Sequence, residues 1–222
     1  MNNYFASVLI QDVEKFISLY CKKILDVGGA HGDYCRFLFE NRNCDAFNLD
    51  PNPGVNRWHK TIVGYANNIP SEEDYFDLII CRGVLEHFND EEREKSIVEM
   101  KRVLNKNGLL YLQFPPWYNP IAGHMLKPFH ILPFGFAKFL RRLFFKNRIK
   151  AHSLGEMYLF PLTMSKMIKL LNNLDLKIIK IIDSHLRLHF LTKIPFFREF
   201  LVTSATFIVS KKIKPKHEQK II

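Results

Sequence analysis

The sequence predicts an α/β domain built on a doubly wound, mostly parallel sheet of seven strands that ends in an antiparallel edge hairpin. Three observations predict it. Five short apolar runs, KKILDVG, DAFNLD, KTIVGYA, FDLIICRG and GLLYLQF, are each bounded by turn residues or charges, as strands buried on both faces are. Stretches of helical periodicity separate several of them, and strand–helix alternation implies parallel pairing through right-handed crossovers. Two later runs, 176–182 and 203–209, have no helical pattern between them, which suggests the hairpin.

Taken in order, Val8, Leu9, Val13, Phe16, Ile17 and Tyr20 recur near the helical period, so 4–20 reads as an opening helix. The first strand, 22–28, runs into a glycine-rich turn and a helix over 33–40. Strands over 45–50, 60–66 and 76–83 follow, then a helix over 91–104 with Asn89 or Asp90 as N-cap and Asn107-Gly108 as its stop. After the fifth strand, 108–114, the alternation halts over 115–160, a segment rich in aromatic, proline and basic residues. Connections of that length are usually functional, and this one reads as a lid. A helix over 163–174 precedes the hairpin, and the basic tail 211–222 reads as frayed.

The 222 residues suffice for one domain, and 47% apolar with 24% charged residues excludes a disordered or collagen-like chain. Asp12 and Glu14 interrupt what a secretory signal would keep apolar, and charges at Lys127, Lys138, Arg141 and Arg142 break the most apolar later stretch. A cytoplasmic protein is expected. Cys21, Cys35, Cys44 and Cys81 form no CxxC pair and read as reduced, buried thiols. Residues 1–120 hold 13 Lys and Arg against 17 Asp and Glu, net −4, whereas 121–222 hold 19 against 5, net +14. A half so basic points to an anionic partner: a phosphorylated substrate, a membrane surface or a nucleic acid.

The first strand ends in Leu25-Asp26-Val27-Gly28-Gly29-Ala30-His31-Gly32-Asp33, where small residues let backbone approach a ligand and the following helix offers free amides. Asp50 ends the second strand twenty-two residues past Gly28, placed for a carboxylate to accept both hydroxyls of a ribose. Together they point to an adenosine-type cofactor. At this point the chain resembles the class I S-adenosylmethionine methyltransferases, a Rossmann-like family, and particularly its ubiquinone-biosynthesis-like group. ILDVGGAHG resembles the first motif, NLDP the ribose acid, GYANNIP the adenine loop, YFDLIICRGVLEHF the fourth strand and VLNKNGLLYLQFP the fifth. The resemblance implies that Asp26, Gly28, Gly29, Ala30 and Gly32 hold the methionine part, Asp50 the ribose, and Ala66 and Asn67 the adenine. Arg82 would lie beside the cofactor. Two positions depart from the pattern: Ala30 replaces the central glycine, which suits a negative φ there, and Tyr65 stands where the family often has an acid for the adenine amino group.

Other readings fit less well. A nicotinamide dehydrogenase would need G-x-G-x-x-G, and Gly28, Ala30 and Gly32 are spaced two apart. Glu86-His87 resembles two of three metal ligands in coenzyme Q O-methyltransferases, but Gly83 stands at the first acidic position, so no metal is expected. FPPW at 114–117 differs from the NPPY-type motif in its first residue and follows the fifth strand, not the fourth. A hydroxyl acceptor would need a base, and His124 is favoured because Gly123 would free its ring to be aimed, with His87 second. Trp117, Tyr118 and His130 would wall the acceptor. Phe136, Phe139, Leu140, Leu143 and Phe144 share one helical face opposite Lys138, Arg141 and Arg142, the pattern of a packed lid or of a helix lying on an anionic membrane. PPWYNPIAGH followed by KPFH also resembles methyltransferases of bacterial surface-polysaccharide pathways. The expected activity is O-methylation of a sugar or lipid-linked acceptor, with an RNA methyltransferase as alternative and a non-catalytic cofactor-binding protein as the third reading.

Overall fold

Strands that are apolar on both faces need cover on both, and the chain supplies it with a core on each side of one sheet. The computed structural model describes residues 3–52, 54, 58–145, 149–185 and 194–212. Its strands are β1 (Lys23–Val27), β2 (Asp45–Asp50), β3 (Thr61–Val63), β4 (Phe76–Arg82), β5 (Leu104–Phe114), β6 (Leu176–His185) and β7 (Val202–Lys211). They lie in the order β3-β2-β1-β4-β5-β7-β6. The first five pair in parallel, while β7 runs antiparallel to both β5 and β6, which is the expected edge hairpin. The helices are α1 (Asn3–Val13), α2 (Asp33–Arg42), α3 (Asp90–Val103), α4 (Phe134–Phe145), α5 (Met164–Asn173) and α6 (Pro195–Leu201).

The double layering can be read along β4. Leu78 and Ile80 pack with Leu9 and Val13 of α1 and Leu38 of α2, while Ile79 and Cys81 pack with Ile97 and Met100 of α3 and Met167 of α5. Strand order reverses between β1 and β4, so the carboxyl ends of these two strands form the crevice where open α/β sheets bind ligands.

Polar anchors hold the loops at that edge. Asn89 and Glu92 form a capping box that starts α3, each side chain accepting the other residue's backbone N–H. Buried Arg93 then reaches back, donating to the carbonyls of Leu85 (2.9 Å) and Phe88 (2.6 Å), which fixes the loop after β4. Glu199 of α6 accepts the N–H groups of Met164 and Ser165 at 2.9 Å, a carboxylate on the positive end of α5. Both ends of the 115–160 insertion are fastened at the carboxyl edge of the sheet: the Trp117 N–H donates to Leu162 O, and the Phe160 N–H to Glu86 O.

Several boundaries differ from the sequence reading. The opening helix ends at Val13, and Phe16 and Tyr20 are exposed beyond a turn. The third strand shrinks to three residues because Tyr65 leaves it for an isolated bridge with Asn68. Asn107-Gly108 does not stop α3; the helix ends at Val103, and Gly108 lies within β5, where a Cβ would come within 3.0 Å of the Phe76 and Asp77 carbonyls. The short helix α6, seven residues starting at a proline, is too brief to register as periodicity. Cys21 is exposed, while Cys35, Cys44 and Cys81 are buried. Residues 213–222 of the basic tail lie outside the described residues. No helix among the described residues is long and apolar enough to cross a membrane.

Candidate active site

At the end of β1 the backbone needs glycine for a steric reason. A Cβ on Gly29 would lie 2.2 Å from Asp26 Oδ2 and 2.3 Å from Asn48 Oδ1, so these two oxygens crowd against the bare turn. Asp26 and Asn48 are both buried, and neither oxygen has a hydrogen-bond partner among the described residues. Two orphaned acceptors aimed at one backbone gap fit a ligand that brings N–H donors. Burial pushes the Asp26 carboxyl up to about 7, against the pull of Arg82. Gly28 and Gly32 take φ of +73° and +70°, and a Cβ on Gly32 would meet Trp58 at 2.3 Å.

Ala30 departs from expectation. Its φ is +46°, a left-handed conformation that strains any residue with a side chain. The Ala30 N–H donates to Asp50 Oδ2 at 3.0 Å, and the Asn52 N–H to Asp50 Oδ1 at 2.9 Å. Asp50 therefore holds the strained turn besides ending β2, and each carboxylate oxygen keeps a further lone pair. Along the adenine loop Ala66 is buried, Tyr65 is 68% exposed, and Asn67 lines a groove against Glu91, Lys95 and Glu99 of α3.

Arg82, at the end of β4, donates to the Tyr34 hydroxyl. Arg82 and Gly83 also line a cavity of about 490 Å³ that lies between α1 and the ends of β4, β5, β6 and β7. Polar side chains from distant segments meet there, among them Tyr4, Asp12, Tyr111, Gln113 and Thr206. Gln113 and Thr206 are register partners across β5 and β7, and Gln113 donates to Ser204 Oγ at 2.9 Å. The sequence reading missed this wall. Its signal was a polar residue at alternate positions, 111 and 113, inside an otherwise apolar strand.

The insertion divides the residues assigned to it. Trp117 and His130 form its own core: His130 Nε2 donates to Trp117 O at 2.7 Å and the rings meet edge-on, so neither is among the cavity's lining residues. Burial lowers the His130 pKa despite that bond. Gly123 is glycine to make room for His130, whose ring lies 2.2 Å from its would-be Cβ, not to free the next residue. The strain falls instead on His124, at φ +45°. Tyr118 is exposed and stacks on Phe200 of α6.

His124 nevertheless meets His87, their ring centroids 4.9 Å apart. Each of Glu86, His87 and His124 offers a ligand atom within 4.8 Å of the others'. The third corner that Gly83 leaves open along the chain is thus filled in space by His124, and this set could accept a divalent ion or work as an acid–base cluster. His87 Nδ1 lies 2.7 Å from Tyr158 O, and because a carbonyl only accepts, the proton sits on Nδ1 and Nε2 carries the lone pair. Loss of solvent and the neighbouring His87 hold the His124 pKa below the ordinary histidine value. Burial raises the carboxyl pKa of Glu86, and its Oε2 lacks a partner among the described residues.

A family model described as a methyltransferase domain matches residues 25–112, the span from β1 to β5. No curated protein matches the sequence. Among solved structures, a candidate sarcosine dimethylglycine methyltransferase of Galdieria sulphuraria is similar at 16% identity and TM-score 0.64, over 95% of this chain and 87% of that one. A SAM-dependent methyltransferase of Methanosarcina mazei is 17% identical with TM-score 0.61, over 91% and 98%. The 1,6-didemethyltoxoflavin-N1-methyltransferase of Burkholderia thailandensis, solved with bound 1,6-didemethyltoxoflavin and S-adenosylhomocysteine, is 13% identical with TM-score 0.57, over 93% and 77%. At these identities the structures speak for the fold, and the family match speaks for the cofactor-binding span. Over residues 25–112 the chain matches the methyltransferase-domain family, and its fold is the one that solved S-adenosylmethionine-dependent methyltransferases share.

Proposed function

We propose that the chain methylates a hydroxyl oxygen on a sugar or on a small lipid-linked acceptor of anionic character. The cavity wall carries this reading. Tyr111, Gln113 and Thr206 present neutral donors and acceptors, and Asp12 and Arg82 add one charge of each sign, around a volume of about 490 Å³. A polyhydroxylated ring is matched by such a wall, and Arg82 suits a phosphate or carboxylate on the acceptor.

When bound, S-adenosylmethionine would supply a methyl group on a sulfonium: the carbon–oxygen bond to the acceptor would form in line as the carbon–sulfur bond breaks, and S-adenosylhomocysteine would leave as the neutral thioether. Asp26 Oδ2 and Asn48 Oδ1, with the Gly28, Gly29, Ala30 and Gly32 turn, would hold the methionine end. Asp50 would accept from the ribose hydroxyls, Ala66 and Asn67 would flank the adenine, and Arg82 would lie beside the cofactor. His87, four residues past the Gly83 that lines the cavity, takes the acceptor's proton at Nε2, and the Glu86 carboxylate steadies the imidazolium. Helix α1 and the insertion keep water from the reacting atoms.

Labelled S-adenosylmethionine incubated with lipid, glycan and RNA fractions tests this. Label should enter the glycan or lipid-linked fraction and disappear with His87→Ala, while affinity for S-adenosylhomocysteine persists. Label confined to RNA would replace the acceptor with a nucleic acid. Cofactor binding without transfer to any fraction would leave a non-catalytic binding protein.

A further inference from the structure

We infer that α4 docks the chain on an anionic phospholipid surface, with Phe136, Phe139 and Leu143 entering the apolar edge of the bilayer. The inference stands apart from the acceptor chemistry, because it concerns where the chain sits and not what it methylates.

The argument begins with the orientation of the helix. An amphipathic helix on a water-facing domain turns its apolar stripe to the core and its charges outward. Helix α4 does the reverse. Phe136, Phe139, Leu143 and Phe144 are 52%, 58%, 60% and 65% exposed, and Ala137 is its buried residue. Two of its cations point to the protein body: Lys138 donates to Ala151 O at 2.7 Å, and Arg141 donates to Lys127 O at 2.8 Å while lying 4.0 Å over the Phe145 ring. With these ties in place the helix cannot roll its apolar stripe inward without breaking them.

The patch extends beyond the helix. Met125 and Ile131, 58% and 47% exposed, sit on the 3₁₀ turns 124–126 and 129–131 that pack against α4. Exposed apolar groups gathered in this way mark an interaction surface. Lys127, Arg142 and Lys150 are exposed in the same insertion, and 121–222 carry 19 Lys and Arg against 5 Asp and Glu. That charge selects the occupant. A second copy docked through the same patch would set basic residues against basic residues across a two-fold axis, whereas anionic headgroups complement them. Apolar side chains at the acyl boundary with cations at headgroup level is the arrangement of an interfacial helix.

The test uses the full chain and vesicles of phosphatidylcholine alone or mixed with phosphatidylglycerol, followed by flotation. Binding to the mixed vesicles is expected, with little to phosphatidylcholine alone, and it should weaken with added salt. The double substitution Phe139→Ser with Leu143→Ser should lower binding by at least about tenfold. Its melting temperature and S-adenosylhomocysteine affinity should match those of the parent, which separates loss of docking from loss of fold. Arg142→Glu should weaken binding to the mixed vesicles while leaving the small residual on phosphatidylcholine unchanged. No binding to mixed vesicles, or binding indifferent to the double substitution, would overturn the inference. So would a dimer in sedimentation velocity that the double substitution dissolves, since the patch would then belong to a second copy.

Discussion

Asp26→Asn should make the ligand-free protein more stable and the cofactor complex weaker. Asp26 is 3% exposed, and burial lifts its carboxyl pKa from 3.8 to about 7. Between those values the folded chain keeps a proton that the unfolded chain has released, so the folded state loses stability as pH rises through that window. At 1.36 kcal/mol per unit, the ionised, buried Asp26 costs the folded state about 4 kcal/mol above pH 7. Asparagine keeps the shape and never ionises. The variant should therefore melt higher than the parent at pH 8, and the difference should shrink steadily toward pH 4. Urea titrations across that range measure it.

The same charge should serve cofactor binding, since an ammonium group brought against Asp26 Oδ2 favours the ionised form. Near pH 6 the ligand-free carboxyl is mostly protonated, so binding S-adenosylmethionine should release about one proton. Calorimetry in buffers of different ionisation enthalpy reads that proton directly. Asp26→Asn should abolish the release and weaken binding. If the variant is no more stable at pH 8 than at pH 4 relative to the parent, the buried charge is not the destabilising element. If its binding is as tight and as proton-linked as the parent's, Asp26 does not face the ligand.

Three further outcomes follow from the site. Asp50→Ala should weaken S-adenosylhomocysteine by about 1.5–3 kcal/mol in calorimetry, the worth of hydrogen bonds to a charged acceptor; hydrogen exchange at Ala30 and Asn52 should rise, because their N–H groups lose Asp50. Ala30→Gly should raise stability by up to about 1 kcal/mol, since glycine removes the strain at φ +46° though its looser unfolded chain takes some back; a lower melting temperature would contradict the strain. His87→Ala should cut kcat by roughly 10²–10⁴ with cofactor affinity intact, and chelators should leave the parent's rate unchanged; a rate lost to chelator and restored by a divalent ion would instead assign Glu86, His87 and His124 to a metal.

How far the molecule could be read from its sequence depended on how local each signal was. The strands were legible because burial on both faces writes an unbroken apolar run, and α3 was legible because Asn89 and Glu92 cap it within one turn. Asp50 stood out because a fixed spacing along one strand–helix–strand unit ties it to Gly28. The cavity beside Arg82 had no such signature. Asp12, Gln113 and Thr206 come from three elements, and what brings the last two together is the antiparallel register of β5 and β7. His124 was placed by the wrong argument, since Gly123 serves His130, and its meeting with His87 depends on an insertion that folds back until Phe160 bonds Glu86.

Helix α4 exposes a different limit. Periodicity divides its residues correctly into an apolar and a basic face, but that division is the same whether the apolar face meets a protein core or a bilayer. The choice is made by two bonds invisible to any periodicity, Lys138 to Ala151 O and Arg141 to Lys127 O, which turn the cations inward and leave phenylalanine outside. Two bonds of the chain itself thus leave an apolar stripe facing outward among basic residues, which is why vesicle binding, and not a further reading of periodicity, tests what that stripe meets.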